Sequence, residues 1–154
     1  MDRQQLLSKL DRAWADFEQS FAELTDGQML EPGVVGDWSV KDILAHVTTW
    51  EEEALKSLPL ILEGRKPPKY SDLYGGIDAF NAQESEKKHG LPLAEILSRL
   101  ETTHGWLVTF VEGVAESQFA GESPFRHRLR LDTYSHYPLH ARMIREWRAK
   151  ALGR

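Results

Sequence analysis

The sequence predicts an all-α protein, a four-helix bundle with one long crossover between its second and third helices that carries a short extra helix. Three observations support that expectation. Apolar residues recur at steps of three and four along four long segments. No segment shows the period-two alternation of a half-buried strand. Helix-breaking residues cluster between the segments, above all over residues 64–76. With 154 residues, 41% of them hydrophobic, the chain has the length of one domain, residues 1–154, and can shield about 70% of the surface its unfolded form exposes. A core of that size needs no structural metal, so any metal is expected to serve function.

The first helix is expected over residues 2–24, where Leu6, Leu10, Trp14, Phe17, Phe21 and Leu24 form one apolar stripe. Thr25-Asp26-Gly27 ends it, and a breaker-rich loop runs to Gly36. The second opens at Ser39, whose side chain can cap free N–H groups while Asp42, three residues on, reaches back in a capping box. Its stripe is Val40, Ile43, Val47, Trp50, Ala54 and Leu58, with Pro59 near its end. Pro67-Pro68 and Gly75-Gly76 mark the crossover, which contains a short helix over residues 77–88 ended by Gly90. Pro92 suits the first position of the third helix, with a stripe of Leu93, Leu97, Leu100, His104, Leu107 and Val111. A polar loop is expected over residues 113–128, and then a fourth helix whose inward positions are His136, His140, Ile144, Trp147 and Ala151.

The sequence has no Cys, which excludes disulfides, Cys-type zinc sites, iron–sulfur clusters and thiolate nucleophiles. Chemistry must come from His, carboxylates or hydroxyls. Met1-Asp2-Arg3-Gln4-Gln5 shows no basic region leading into an apolar stretch, and no segment approaches the ~18–20 apolar residues of a membrane span. A cytoplasmic protein with no membrane partner is expected. The net charge of −5 argues against nucleic acid as a partner. The charge is uneven, however: residues 121–154 hold eight basic and three acidic side chains, so the first 120 residues carry −10. The simpler reading of this excess is a terminal helix whose cations suit its own dipole and pair with acidic neighbours; the other is an anion-binding face.

The sharpest chemical signal is Ser135-His136-Tyr137-Pro138-Leu139-His140. Two His at i and i+4 lie one turn apart on a helix face and can point their rings at one metal. The line continues into Ile144 and Trp147, so a core-facing stripe buries both rings, and buried imidazoles need a metal or hydrogen-bond partners. Backbone carbonyls or a hydroxyl such as that of Tyr134 would satisfy them equally. His46, on the inner side of the second helix, is the natural third ligand, since bundle metal sites are built from facing helices. Three imidazoles suit one divalent transition metal, Zn, Ni or Fe, and leave a position open. Asp132 and Asp42 are spaced to accept from the distal ring N–H groups of His136 and His46, although the capping box explains Asp42 as well. Pro138 lacks an N–H, which is harmless if the helix starts at His136 and kinks it if the helix starts earlier.

His104 and Glu53 are candidate general bases by spacing alone, and Trp50 and Tyr137 candidate pocket residues. Glu101-Thr102-Thr103-His104 has the Glu-x-x-His form of di-metal bundles, but that pattern also needs inward Glu residues on both remaining helices, and the first helix offers Glu18 and Glu23 off its apolar stripe. His89 and His127 are expected to be exposed. Tyr74-Gly75-Gly76-Ile77 reads as a turn.

These residues bring out a resemblance. The run from Gly33 to His46, and within it Gly36-Asp37-Trp38-Ser39-Val40-Lys41-Asp42-Ile43-Leu44-Ala45-His46, is similar to the helix-two signature of the DinB/YfiT-like superfamily of helical metalloenzymes. The segment at Asn81, the Leu91-Pro92-Leu93 start of helix three and Ser135-His136-Tyr137 resemble its ClbS/DfsB family. The resemblance spans nearly the whole chain. It implies a DinB-like bundle in which His46, His136 and His140 coordinate one divalent metal, and a homodimer through apolar helix faces. It further implies a small electrophilic substrate, attacked by hydrolysis or by transfer of a low-molecular-weight thiol. Many ClbS-like relatives lack the second His of the last-helix pair. They suggest two alternatives: a metal-independent protective hydrolase or binder of a reactive metabolite, with its pocket around Trp50, His104 and Tyr137, or a non-catalytic helical module.

Overall fold

The computed structural model describes residues 1–153. The described residues form eight α-helices and no named strand: α1 (Arg3–Phe21), α2 (Asp26–Leu30), α3 (Val40–Leu62), α4 (Tyr70–Leu73), α5 (Ile77–His89), α6 (Leu93–Glu112), α7 (Pro124–Asp132) and α8 (Tyr137–Leu152), with a 3-10 turn at Glu116–Phe119. The four long helices are α1, α3, α6 and α8. α3 packs on α6, α7 and α5, while α1 packs on α8. Leu6, Leu10, Phe17, Ile43, Leu44, Leu58 and Leu100 are shielded almost completely, each contributing about 1.5–3 kcal/mol relative to exposure. No described helix is long and apolar enough to cross a membrane.

Local chemistry fixes the helix starts. Asp2 and Gln5 form a reciprocal capping box at α1, and Thr25 and Gln28 another at α2. Ser39 and Asp42 do the same for α3: the Asp42 N–H donates to Ser39 Oγ at 3.1 Å, and the Ser39 N–H to Asp42 Oδ2 at 3.0 Å. The crossover turns sharply at Gly75 and Gly76, whose φ values of +85° and +117° strain any residue with a Cβ.

Four elements differ from the sequence expectation. α1 stops at Phe21, and Glu23 adopts φ +67° before α2 begins. On α6 the fully buried line is Ile96, Leu100, Thr103, Leu107 and Val111, so Leu93, Leu97 and His104 flank the core and are only half-buried. The expected polar loop contains α7, started by Ser123 capping the Arg126 N–H, with Pro124 in the first turn and Phe125 and Leu129 buried. α8 begins at Tyr137 with His136 as its N-cap residue, so Pro138 falls in the first turn, where the missing N–H costs nothing. Ala151 is exposed, whereas Ile144 is buried and Trp147 half-buried.

Candidate metal centre

α3 and the start of α8 bring His46, His136 and His140 together, with one ligand atom from each ring within 4.8 Å of the others. His136 Nε2 lies 3.2 Å from His46 Nε2 and 2.9 Å from His140 Nε2. The rings meet edge to face, at 66° to 87° between planes. Burial lowers all three pKa values, to about 3 for His46, about 2 for His136 and about 4 for His140, and the charge on His140 adds to the effect at the other two. The rings are therefore neutral near pH 7 and offer lone pairs.

Each neutral ring carries a single N–H. With lone pairs on the converging Nε2 atoms, the N–H groups sit on Nδ1, and Nδ1 of both His136 and His140 is buried without a partner. Hydrogen bonds among the rings cannot satisfy three Nε2 atoms aimed at one point. A divalent ion can, and tetrahedral bonds of about 2.0–2.1 Å to nitrogen set donors about 3.3 Å apart, close to the spacings seen. An all-imidazole donor set suits Zn, Ni or Fe rather than Mg or Ca. The three residues thus fit such an ion.

Neither expected carboxylate partner hydrogen-bonds a ring of this cluster. Asp42 serves the cap of α3, with its other oxygen 3.4 Å from His89 Nδ1. Asp132 Oδ2 accepts from Arg128 Nε at 2.6 Å, and burial pushes this carboxyl up to about 6 against the pull of Arg128.

His46 and His136 line a cavity of about 350 Å³ together with Trp50, Tyr70, Arg128 and Asp132. Tyr70 ties this wall together, donating to Glu53 Oε1 at 3.1 Å and accepting from Arg128 Nη2 at 2.8 Å. Glu53 is thereby engaged, with Lys56 Nζ 2.9 Å from its other oxygen.

His104 and Tyr137 lie in a second cluster, around Glu51. Both His104 Nδ1 and the Tyr137 hydroxyl are 2.7 Å from Glu51 Oε2, and His104 stacks on Trp14 with ring centres 3.6 Å apart. Glu51 is fully buried and its Oε1 has no partner. Burial raises its pKa, while His104 and Tyr137 pull it down. Sequence reasoning passed over Glu51 because it sits in the run Glu51-Glu52-Glu53. The available signal was its register, four residues after Val47 and three before Ala54, on the buried stripe of α3.

A family model described as the DinB superfamily matches residues 9–143. The chain belongs to the DinB superfamily. Among solved structures, the colibactin self-resistance protein ClbS in complex with double-stranded DNA superposes with a TM-score of 0.77 at 13% identity, covering 94% of each chain. The Sibling Lethal Factor Precursor DfsB gives a TM-score of 0.77 at 15% identity, covering 96% of this chain and 95% of its own. A Streptococcus pneumoniae protein gives 0.77 at 13% identity, covering 96% and 90%. No curated protein matches the chain in sequence. This DinB-superfamily chain therefore has the helical fold of ClbS and DfsB.

The ClbS complex corrects the expectation that nucleic acid is excluded as a partner. A protein of this fold sits on double-stranded DNA, and a net charge summed over the chain does not decide phosphate binding, which depends on local cations. Here several cations of the basic segment 121–154 have partners within the chain: Arg145 pairs with Asp16, Arg128 with Asp132, and Arg148 donates to the carbonyls of Ser20 and Ala22. Arg154 lies outside the described residues.

Proposed function

We propose that this protein is a metal-dependent enzyme in which His46, His136 and His140 hold one divalent transition ion and the adjoining cavity receives a small electrophilic substrate. The observation that carries the reading is the convergence of three neutral imidazoles, each with a ligand atom within 4.8 Å of the others. Such an ion supplies a Lewis acid that lowers the pKa of a water molecule or a low-molecular-weight thiol, giving hydrolysis or thiol transfer near neutral pH. The chain's own residues do the rest. Trp50 and Tyr70 shield the cavity, and Arg128 fixes the carboxylate of Asp132 at its wall, where that group can take or return a proton. Glu53 acts through Tyr70 as a positioning residue. His104 is held by Glu51, and its role is to fix that carboxylate.

The test is metal content by elemental mass spectrometry, on protein purified without an immobilised-metal column. About one equivalent of Zn, Ni or Fe per chain is expected, falling to none in His140→Ala and persisting in His104→Ala. Wild-type protein that takes up no metal, or a His140→Ala variant with undiminished metal, overturns the reading. The metal-independent alternative predicts activity indifferent to chelators, with chemistry around Trp50, His104 and Tyr137. Of these three, Trp50 alone lines the cavity.

A further inference from the structure

We infer that the cavity beside the three imidazoles selects a substrate with an apolar body and a single carboxylate, which Arg128 reads end-on. The inference deepens the reading of this cavity as the substrate site.

Arg128 spends one edge of its guanidinium inside the protein: Nε donates to Asp132 Oδ2 at 2.6 Å and Nη2 to Tyr70 Oη at 2.8 Å. Tyr70 is itself fixed by Glu53, so the plane of the fork is set from two sides. The end-on edge, Nη1 with the second hydrogen of Nη2, has no acceptor among the described residues, and the side chain lines the cavity. Such an edge matches the two oxygens of a carboxylate with parallel hydrogen bonds. Asn81 adds to the donor surplus. Its Oδ1 accepts the Trp50 indole N–H at 2.9 Å, its NH₂ group donates to no described residue, and Asn81 lines the same cavity.

The charge balance narrows the anion. Asp132 already answers part of the Arg128 charge, so the pair supports one added negative charge rather than the two of a phosphate monoester. The remaining surface narrows the body. Trp50 and Tyr70 wall the cavity, and Ile77 and Leu131 stand at it while 53% and 51% exposed. Large aliphatic side chains left open around a cavity mark a ligand site. Its volume of about 350 Å³ lies at the lower end of the roughly 300–1,000 Å³ of small-molecule pockets.

The experiment is an NMR titration of chelator-treated, metal-free protein at neutral pH with benzoate, benzyl alcohol and phenyl phosphate, following the Trp50 indole N–H. Benzoate is expected to bind saturably, at least about tenfold more tightly than benzyl alcohol and more tightly than phenyl phosphate. Arg128→Gln is expected to lose at least about tenfold in benzoate affinity. Because that variant strands Asp132, the double variant Arg128→Gln/Asp132→Asn, which removes both charges, serves as the folded control and is expected to show the same loss. Equal affinity for benzoate and benzyl alcohol, a preference for phenyl phosphate, undiminished benzoate binding in either variant, or no saturable binding overturns the inference. Metal content is measured separately, so failure here is distinguishable from failure of the metal reading.

Discussion

Two buried polar clusters share α3 and α8, and they satisfy their hydrogen-bonding groups in opposite ways. Around Glu51 one carboxylate oxygen, Oε2, answers two donors, His104 and Tyr137, while Oε1 alone has no partner. Around His46, His136 and His140, three lone-pair nitrogens converge and two ring N–H positions behind them have no partner. Buried polar groups are ordinarily paired, and an unpaired one costs about 1–3 kcal/mol. The first cluster is thus an internal tie between helices, whereas the second presents converging lone pairs that an added ion would take up. The difference separates a residue set that serves the fold from one available for chemistry.

The largest expected effect separates the clusters by their response to metal. Adding Zn at about 1,000 times its dissociation constant stabilises a folded-state binder by about 4 kcal/mol, so chelation should lower the melting temperature of the wild type clearly. The same scan on His140→Ala should show no difference between chelator and added Zn, and a shift of wild-type size there would merge the two clusters in kind.

The next effect runs the other way. Glu51→Ala removes the acceptor of two buried donors and should cost about 3–5 kcal/mol in urea denaturation of metal-free protein. A loss under about 1 kcal/mol would show that the Glu51 cluster is no tie.

A smaller effect concerns Asp132, between the clusters and the cavity. Its folded pKa of about 6 lies above the ordinary 3.8, so the folded state holds this proton more tightly than the unfolded one. The stability it contributes is complete below about pH 3.8 and lost as pH rises through about 6. Asp132→Asn removes that slope, so urea midpoints should move in the variant's favour relative to wild type across this window. A constant difference would contradict the burial of an ionisable carboxyl there.

The smallest expected effect is that of Pro138→Ala, which should leave stability within about 0.5 kcal/mol and metal content unchanged, since Pro138 sits in the first turn of α8. A marked loss of metal would show that the ring of Pro138 sets the angle between His136 and His140.

Much of this was legible in the sequence because it is periodic. The stripes of α1 and α3 and the Ser39–Asp42 box are local patterns, and their residues lie where spacing puts them. α7 was not legible as a helix: nine residues with only Phe125, Leu129 and Leu131 as large apolar side chains carry little periodic signal, and the cues were the Ser123 cap and Pro124. The spacing of His136 and His140 and the inward register of His46 pointed to a shared site. The partners of those residues were less visible, because hydrogen bonding between distant segments leaves no trace in spacing. Asp132 stands four residues before His136 and yet turns to Arg128. Glu51 looks like one of three solvated acids until the stripe of α3 is counted through it.

The contact between His46 and His136 spans 90 residues of sequence. In an open chain, closing a loop of that length carries an entropy cost that rises by about 0.6 kcal/mol with each doubling, and none of it is recovered until distant segments meet. No disulfide shortens the search, because the chain has no Cys. Packing of α1 on α8 and of α3 on α7 closes the loop in the folded chain and so offsets that cost. An ion bound there would tie α3 to the start of α8 across that span, and its binding free energy would add to the stability of the assembled bundle.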